Sequence, residues 1–445
     1  QQQQQQQQHE NNRGTMTSGG RGGGSGGLAA RTGEVSASPR EWDGFPGLLA
    51  AFTGRVVEFT PAEELWDLAA DPSGSAFLQE LVRSHAGDEE ALAVLLPYVL
   101  GAEPAEDPSV AGERLSGVPA GRWEELAADR AGSHLAEAIV QSATPSLLAE
   151  VYSRFCVGRL AAQAKHPVAN FAVQALLASV KEKGQLRLAL QELRGEVAGL
   201  LQGRRAGVVA ALLAASLRLA TLQADTAKAV TKALTALAAE QGESAAHHNP
   251  AAALLDLDAA DRAHGQCSTL GCVILQTMLK LNPAGNNPCV IGLGRLGAAR
   301  AARTARDPSG SRVLEALLEH APDDAAREPL LSELQGQFAT LAGHAIAAHV
   351  VERAFGASGA DWREAIVAEL AECETTLSRS ARGAELLHSC GVREYKKDKE
   401  AWRRRVRQRE NAVRGFAALF GSSNNANPDD EDEEEEEEEE AEEEE

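Results

Sequence analysis

Apolar residues recur at the three-and-four spacing of an α-helix, in one short stripe after another from Phe45 to Phe420. The stretch RDPSGSRVLEALLEH at 306–320 is a clear instance. At about 100° per residue, Val313, Leu314 and Leu317 fall on one arc and predict a core-facing stripe. Ser311 and Glu315 lie one turn apart on the other side, with Arg312 about 100° round from Ser311. Asp307 is a suitable N-cap, and Pro308 suits the first helical position. The pattern predicts three outward side chains, at positions i, i+1 and i+4 of the helix. Alternating β-branched runs are scarce, and Ala and Leu dominate with Arg, Glu and Gln, so the expected fold class is all-α.

The string DPSGS occurs twice, at Asp71–Ser75 and Asp307–Ser311, each time before an apolar stripe. Aligning every stripe on the residue at this place gives eight anchors: Ser75, Ser133, Asn170, Val208, Cys272, Ser311, Ala348 and Ala384. Their separations are 58, 37, 38, 64, 39, 37 and 36 residues. The two long intervals contain Gly/Pro/Asp-rich interruptions at 101–121 and 241–266, read as insertions. A period near 37 predicts a helical solenoid. The residue before each anchor is Gly or Ala, small enough for a neighbouring helix to approach closely.

Charge alters this picture only at the ends. Sixteen carboxylates fall within Asp429–Glu445, which leaves about −6 of the formal −22 for the rest of the chain. Residues Arg393–Arg414 carry ten Lys/Arg against four Asp/Glu. The expected organisation is a disordered Gln/Gly-rich segment at 1–40, repeats over 41–392, a basic helical cap at 393–421 and a disordered acidic tail at 422–445. Lys396, Lys397, Arg403, Arg404, Arg405, Arg407 and Arg409 form the expected basic patch, a broad collar suited to phosphate contact or nuclear import. The acidic tail could contact basic proteins, or fold back on the collar.

The six cysteines (156, 267, 272, 289, 373 and 390) show no C-x-x-C pair, so neither disulfides nor zinc is expected, and a reducing compartment fits. There is no P-loop, HExxH or G-x-S-x-G, and His247–His248 reads as loop polarity, so no enzyme, metal or cofactor is expected. No stretch is apolar for eighteen residues, and no signal peptide opens the sequence. A soluble intracellular protein with no membrane or small-molecule partner is the expectation.

The triplets at i, i+1 and i+4 resemble those of the Pumilio (PUF) repeat family. That resemblance implies a right-handed α-solenoid of three-helix repeats, about 37 residues each, binding RNA. In that family i and i+4 hydrogen-bond the edge of one base while i+1 stacks. Asn170, Phe171 and Gln174 resemble a uracil-reading set. Cys272, Val273 and Gln276 resemble an adenine set, as do Ser75, Ala76 and Gln79. Ser133, His134 and Glu137, and likewise Ser311, Arg312 and Glu315, resemble guanine readers. Three units depart from the pattern. Val208, Val209 and Leu212 are apolar, whereas Ala348, His349 and Glu352, and Ala384, Glu385 and His388, are half-sets.

Further strings resemble the nucleolar branch of the family that processes precursor rRNA. They are PAGRWEELAADRAGSHLAEAI at 119–139, LAAQAKHPVANFAVQALL at 160–177 and GVREYKKDKEAWRRRVRQRENAVRGFAALFG at 391–421. The resemblance implies a non-catalytic nuclear, nucleolar protein that binds single-stranded or structured RNA, precursor rRNA above all, during small-subunit (18S) biogenesis. Pre-ribosomal proteins are possible further partners. Two alternatives stand beside it: a cytoplasmic Pumilio-type regulator of mRNA, and an armadillo- or HEAT-like solenoid that binds protein.

Overall fold

The computed structural model describes residues 46–240, 249–257, 266–281, 287–321 and 323–420, with Pro46, Glu240 and 413–420 as backbone only. The Gln/Gly-rich stretch 1–40, the acidic tail 422–445 and His247–His248 lie outside the described residues. Among the described residues the regular structure is helical, with no strand.

Among the described residues, Pro46–Phe59 is followed by eight consecutive groups of three helices, and Lys399–Phe420 comes after them. The third unit is Leu160–Lys165, Asn170–Ser179 and Lys183–Leu193, and the sixth is Ala298–Arg306, Pro308–His320 and Asp324–Leu334. The second helix of each unit is labelled here α1 (Pro72–Ser84), α2 (Gly132–Ser142), α3 (Asn170–Ser179), α4 (Ala206–Arg218), α5 (Thr269–Leu281), α6 (Pro308–His320), α7 (Ala347–Ala357) and α8 (Ala381–Ser389). Each packs on the next, so α1 to α8 form one continuous ladder. The first helix packs on its own second helix in every unit, and on its own third helix in units 1 and 3 to 7. No unit can bury its apolar arc alone, and stacking joins the arcs into one core, with Leu78, Leu135, Val173, Leu275, Leu314 and Val351 all buried.

In units 1, 2, 5, 6 and 8 the glycine before the anchor has a specific use. A methyl group at Gly74, Gly132, Gly310 or Gly383 would lie 2.3–2.7 Å from the carbonyl oxygen six residues earlier, at Leu68, Leu126, Thr304 or Leu377. At Gly271 it would lie 1.8 Å from the Leu254 oxygen. The close neighbour is therefore the end of the unit's own first helix.

The two interruptions differ. Residues 101–119 are a packed series of turns. Arg114 is buried there: it donates to Glu89, to Ser146 Oγ at 3.0 Å and to the Pro108 carbonyl at 3.2 Å. Beside it Glu150, also buried, accepts from the Leu115 N–H at 2.5 Å. The expected insertion at 241–266 needs correction, because it contains the first helix of unit 5, Pro250–Leu255. That helix is capped by Asn249 and packed on Pro288–Leu293 and α5. The boundary expected at 393 is also displaced. It falls inside Val392–Lys397, the third helix of unit 8, and the cap proper is Lys399–Phe420.

Candidate nucleic-acid interface

A capping residue four positions before the anchor starts seven of the eight ladder helices. Asp71 and Asp307 each accept two backbone N–H bonds, at 2.9 and 2.7 Å, so the two DPSGS strings make the same structure. Asp129 does this for Ala131 and Gly132, both at 2.8 Å. Ser268 and Ser380 each accept one, from Gly271 and Gly383. In units 3 and 7 the cap is an imidazole: His166 Nδ1 accepts from Val168 and Ala169, and His344 Nδ1 from Ile346 and Ala347. Unit 4 has Arg204 at this place, with φ +60°, and no side-chain cap.

The expectation of three outward side chains per helix is corrected at position i. Ser75, Ser133, Asn170, Cys272 and Ser311 are only 0–3% exposed. The cause is the ladder itself, since the first turn of each helix lies in the crevice against the next. Ser75 Oγ, for example, donates to the Ala131 carbonyl of unit 2 at 2.8 Å. Asn170 donates to the His166 and Pro167 carbonyls, both at 2.9 Å.

Position i+1 is exposed as expected at Ala76, His134, Phe171, Arg312, His349 and Glu385. Phe171 keeps 42% of its surface open, an apolar ring offered to solvent. Position i+4 is half-buried at Gln79, Gln174, Gln276, Glu315 and Glu352, and buried at Glu137. Val273 is half-buried, and the unit 4 triplet Val208, Val209 and Leu212 is buried throughout.

The triplet side chains are therefore arranged in columns along one ladder, and in units 1, 3 and 5 position i+4 is hydrogen-bonded to position i. Gln79 Nε2 donates to Ser75 Oγ at 3.1 Å, Gln174 Nε2 to Asn170 Oδ1 at 2.9 Å, and Gln276 Nε2 to the Cys272 carbonyl at 3.2 Å. The acidic i+4 residues meet the i+1 side chain instead: His134 Nδ1 lies 3.4 Å from Glu137 Oε1, and Arg312 Nη1 3.2 Å from Glu315 Oε2. Such pre-set side chains can present hydrogen-bonding edges to a planar base while the i+1 groups stack.

The basic patch needs correction too. Arg403 grips Glu364 with two bonds, at 2.7 and 2.5 Å, and also pairs with Glu400. Its guanidinium holds the Glu364 carboxyl below the usual carboxylate range. Lys396 pairs with Glu374 at 2.7 Å and Arg407 with Asp361 at 3.6 Å. Together with the edge-to-face contact of Tyr395 and Trp402 at 5.3 Å, the Arg403–Glu364 and Arg407–Asp361 pairs fasten the cap helix to units 7 and 8, while the Lys396 pair lies within unit 8. Arg404, Arg405, Arg409 and Lys397 are exposed and make no ion pair among the described residues.

Among the described residues no group of three His, Cys, Asp or Glu is placed to hold a metal ion, and no helix is long and apolar enough to cross a membrane. Burial pushes the thiols of Cys156, Cys289 and Cys390 up to about 12, so they are neutral packing groups. The sequence reading missed the capping column at 129, 166, 268, 344 and 380. Its signal is a D-, S- or H-x-x-(G/A) string that the eight-anchor alignment brings into register.

Comparison with known proteins agrees with this architecture. The chain is 27% identical to Pumilio homolog 23 of Arabidopsis thaliana over 86% of its length and 51% of the relative's. It is also 27% identical to human Nucleolar protein 9, over 62% of its length and 46% of the relative's. The chain thus spans about half the length of the curated relatives it matches. The solved structure of APUM23-GGAGUUGACGG superimposes with a TM-score of 0.70 at 27% identity, covering 81% of this chain and 67% of that one. The family profile described as the NOP9-like PUF repeat domain matches residues 38–384, and with that match over most of the solenoid the chain belongs to the NOP9-like family of PUF repeat proteins.

Proposed function

We propose that this chain is a non-catalytic RNA-binding protein of the nucleolus that holds precursor rRNA during maturation of the small (18S) ribosomal subunit. One observation carries the reading: in units 1, 2, 3, 6 and 7 the i+1 side chain stands open while the i+4 side chain is poised beside it, along one unbroken ladder. A column of stacking groups flanked by edge-reading groups suits a run of unpaired bases. Family membership supports it, because the similar APUM23 structure is of a complex with GGAGUUGACGG, and the curated relatives bear the name Nucleolar protein 9.

The readers fall on Gln79, His134 with Glu137, Phe171 with Gln174, Val273 with Gln276, and Arg312 with Glu315, with His349 as a stacking group. The buried anchors Ser75, Ser133, Asn170, Cys272 and Ser311 position them. Arg404, Arg405, Arg409 and Lys397 supply phosphate contacts at the cap end, and the acidic tail offers a site for basic pre-ribosomal proteins.

The test is crosslinking and sequencing of RNA bound in cells, with the double substitution Phe171→Ala/Gln174→Ala as control. Reads on precursor rRNA that thin in the variant are expected. Reads concentrated on mRNA 3′ regions would replace this reading with that of an mRNA regulator. Absence of RNA enrichment would leave a protein-binding solenoid.

A further inference from the structure

In units 2 and 6 the i+4 carboxylate meets a donor from its own helix. Arg312, the donor in unit 6, is 65% exposed, and the one ion pair it makes among the described residues is with Glu315. A guanidinium held at one point can swing over a base and leave the carboxylate to accept from that base's edge.

Unit 7 is arranged differently. Its partner comes from the next helix: Arg382, on the first turn of α8, two residues before the anchor Ala384. Arg382 Nη2 donates to Glu352 Oε2 at 2.5 Å and to His349 Nδ1 at 2.7 Å, while Nη1 donates to Glu385 Oε2 at 2.8 Å. Three acceptors on two helices hold it, and it is 28% exposed. Its origin is fixed as well. The Gly383 N–H donates to Ser380 Oγ at 3.0 Å, and Gly383 is pressed so closely on the Leu377 carbonyl that a methyl there would lie 2.3 Å from the oxygen.

We propose that Arg382 is a clamp that withholds unit 7 from base selection and leaves His349 as a stacking platform of fixed orientation. The inference rests on the RNA-reading function above. A carboxylate selects guanine by accepting both N–H donors of its edge, and the charge of Glu352 is already matched by a cation that cannot swing away. The anchor of unit 7, Ala348, is buried and brings no polar group. His349 gains what Glu352 loses. A guanidinium can only donate, so Nδ1 accepts, the ring proton sits on Nε2, and the ring plane is held. Any base can stack on such a ring, because every base has a π-face. The half-set of unit 7 is thus a working non-selective position.

The test is selection from RNA pools randomised at every position, using the full chain as wild type, Arg382→Met and Arg382→Met/Glu352→Gln. The nucleotide facing unit 7 is located as the one whose crosslink disappears in His349→Ala. Wild type should show no base preference there. Arg382→Met should favour guanine at that position by at least about fivefold, the lower end for a gained bidentate contact, with other positions unchanged. The double variant should lose the preference. Glu385→Gln removes one exposed anchor of the clamp and should move selection the same way by less, which covers the case of an unstable Arg382→Met. Wild type that already selects guanine at this nucleotide, or variants whose profile there stays flat, would overturn the clamp alone. Wild type that binds no RNA would overturn the proposed function, and the clamp with it.

Discussion

The carboxamide of Gln174 rests on Gly207, so closely that a methyl group at 207 would lie 2.6 Å from Gln174 Oε1. The same carboxamide donates to Asn170, which in turn donates to the loop that opens α3. The i+4 side chain of unit 3 is therefore oriented by the absence of a side chain in unit 4.

Gly207→Ala should separate stability from recognition. The clash is with the far end of a flexible side chain, which can rotate away, so thermal unfolding should move little. Binding to an RNA selected by the wild type should weaken, with the loss confined to the base facing unit 3. Gly310→Ala is the contrasting case, because its methyl would meet the Thr304 backbone oxygen at 2.7 Å. That substitution should cost about 1–3 kcal/mol, read by denaturant unfolding.

Replacing the imidazole cap of α7 should be reparable. His344→Ala removes the acceptor for the Ile346 and Ala347 N–H groups and should destabilise by about 1 kcal/mol. His344→Asp supplies the carboxylate that units 1, 2 and 6 use, and it should recover most of that loss. Equal melting temperatures for the two variants would show that the cap contributes nothing.

Arg114→Ala should unfold the turns at 101–119. Glu150 is 2% exposed on its side chain, and Arg114 is the nearby cation, with its Nη1 4.0 Å from Glu150 Oε2. Removing one partner of a buried charged cluster costs about 3–5 kcal/mol. Proteolysis should then cut between units 1 and 2 in the variant and spare the wild type.

Acid should loosen the N-terminal helix Pro46–Phe59. His85 is buried and hydrogen-bonded to Thr53 on that helix at 2.8 Å, and burial outweighs the neighbouring Asp88 in holding its pKa below the ordinary 6.5. With the folded value lowered, the unfolded chain takes up the proton first as pH falls. The stability His85 contributes is therefore whole above about pH 6.5 and declines below it. Melting temperature followed from pH 7.5 to 5.5 should fall more steeply for wild type than for His85→Gln, and parallel curves would refute the coupling.

Much of this was legible in the chain. The period of 37 and the apolar arcs locate all eight ladder helices, because a stacked unit must repeat its core face to bury it. The capping by Asp71 and Asp307 follows from side chains that bond only to their own backbone neighbours. Burial of the anchors was not legible. A single helix drawn on a wheel shows Ser75 as polar and outward, and only the packing of α1 on α2 encloses it against the Ala131 carbonyl. Long side chains that cross between units escaped for the same reason. Arg403 reads as part of a basic run until Glu364, 39 residues away, is placed beside it. Arg382 is unremarkable in sequence because two of its three acceptors lie 30 and 33 residues before it.

Unit 4 gives the ladder a blank line. Val208, Val209 and Leu212 are all buried, and among the described residues the three non-glycine positions with positive φ, Arg204, Ala220 and Leu222, flank this one helix. If the columns on either side spell out an RNA, the message is a split word: three letters, an open space, then the remainder. On that reading the packing of α4 between α3 and α5 sets the width of the space while leaving its content arbitrary. An RNA facing α4 can therefore drift freely in base identity, yet adding or deleting one nucleotide there would throw both halves out of phase.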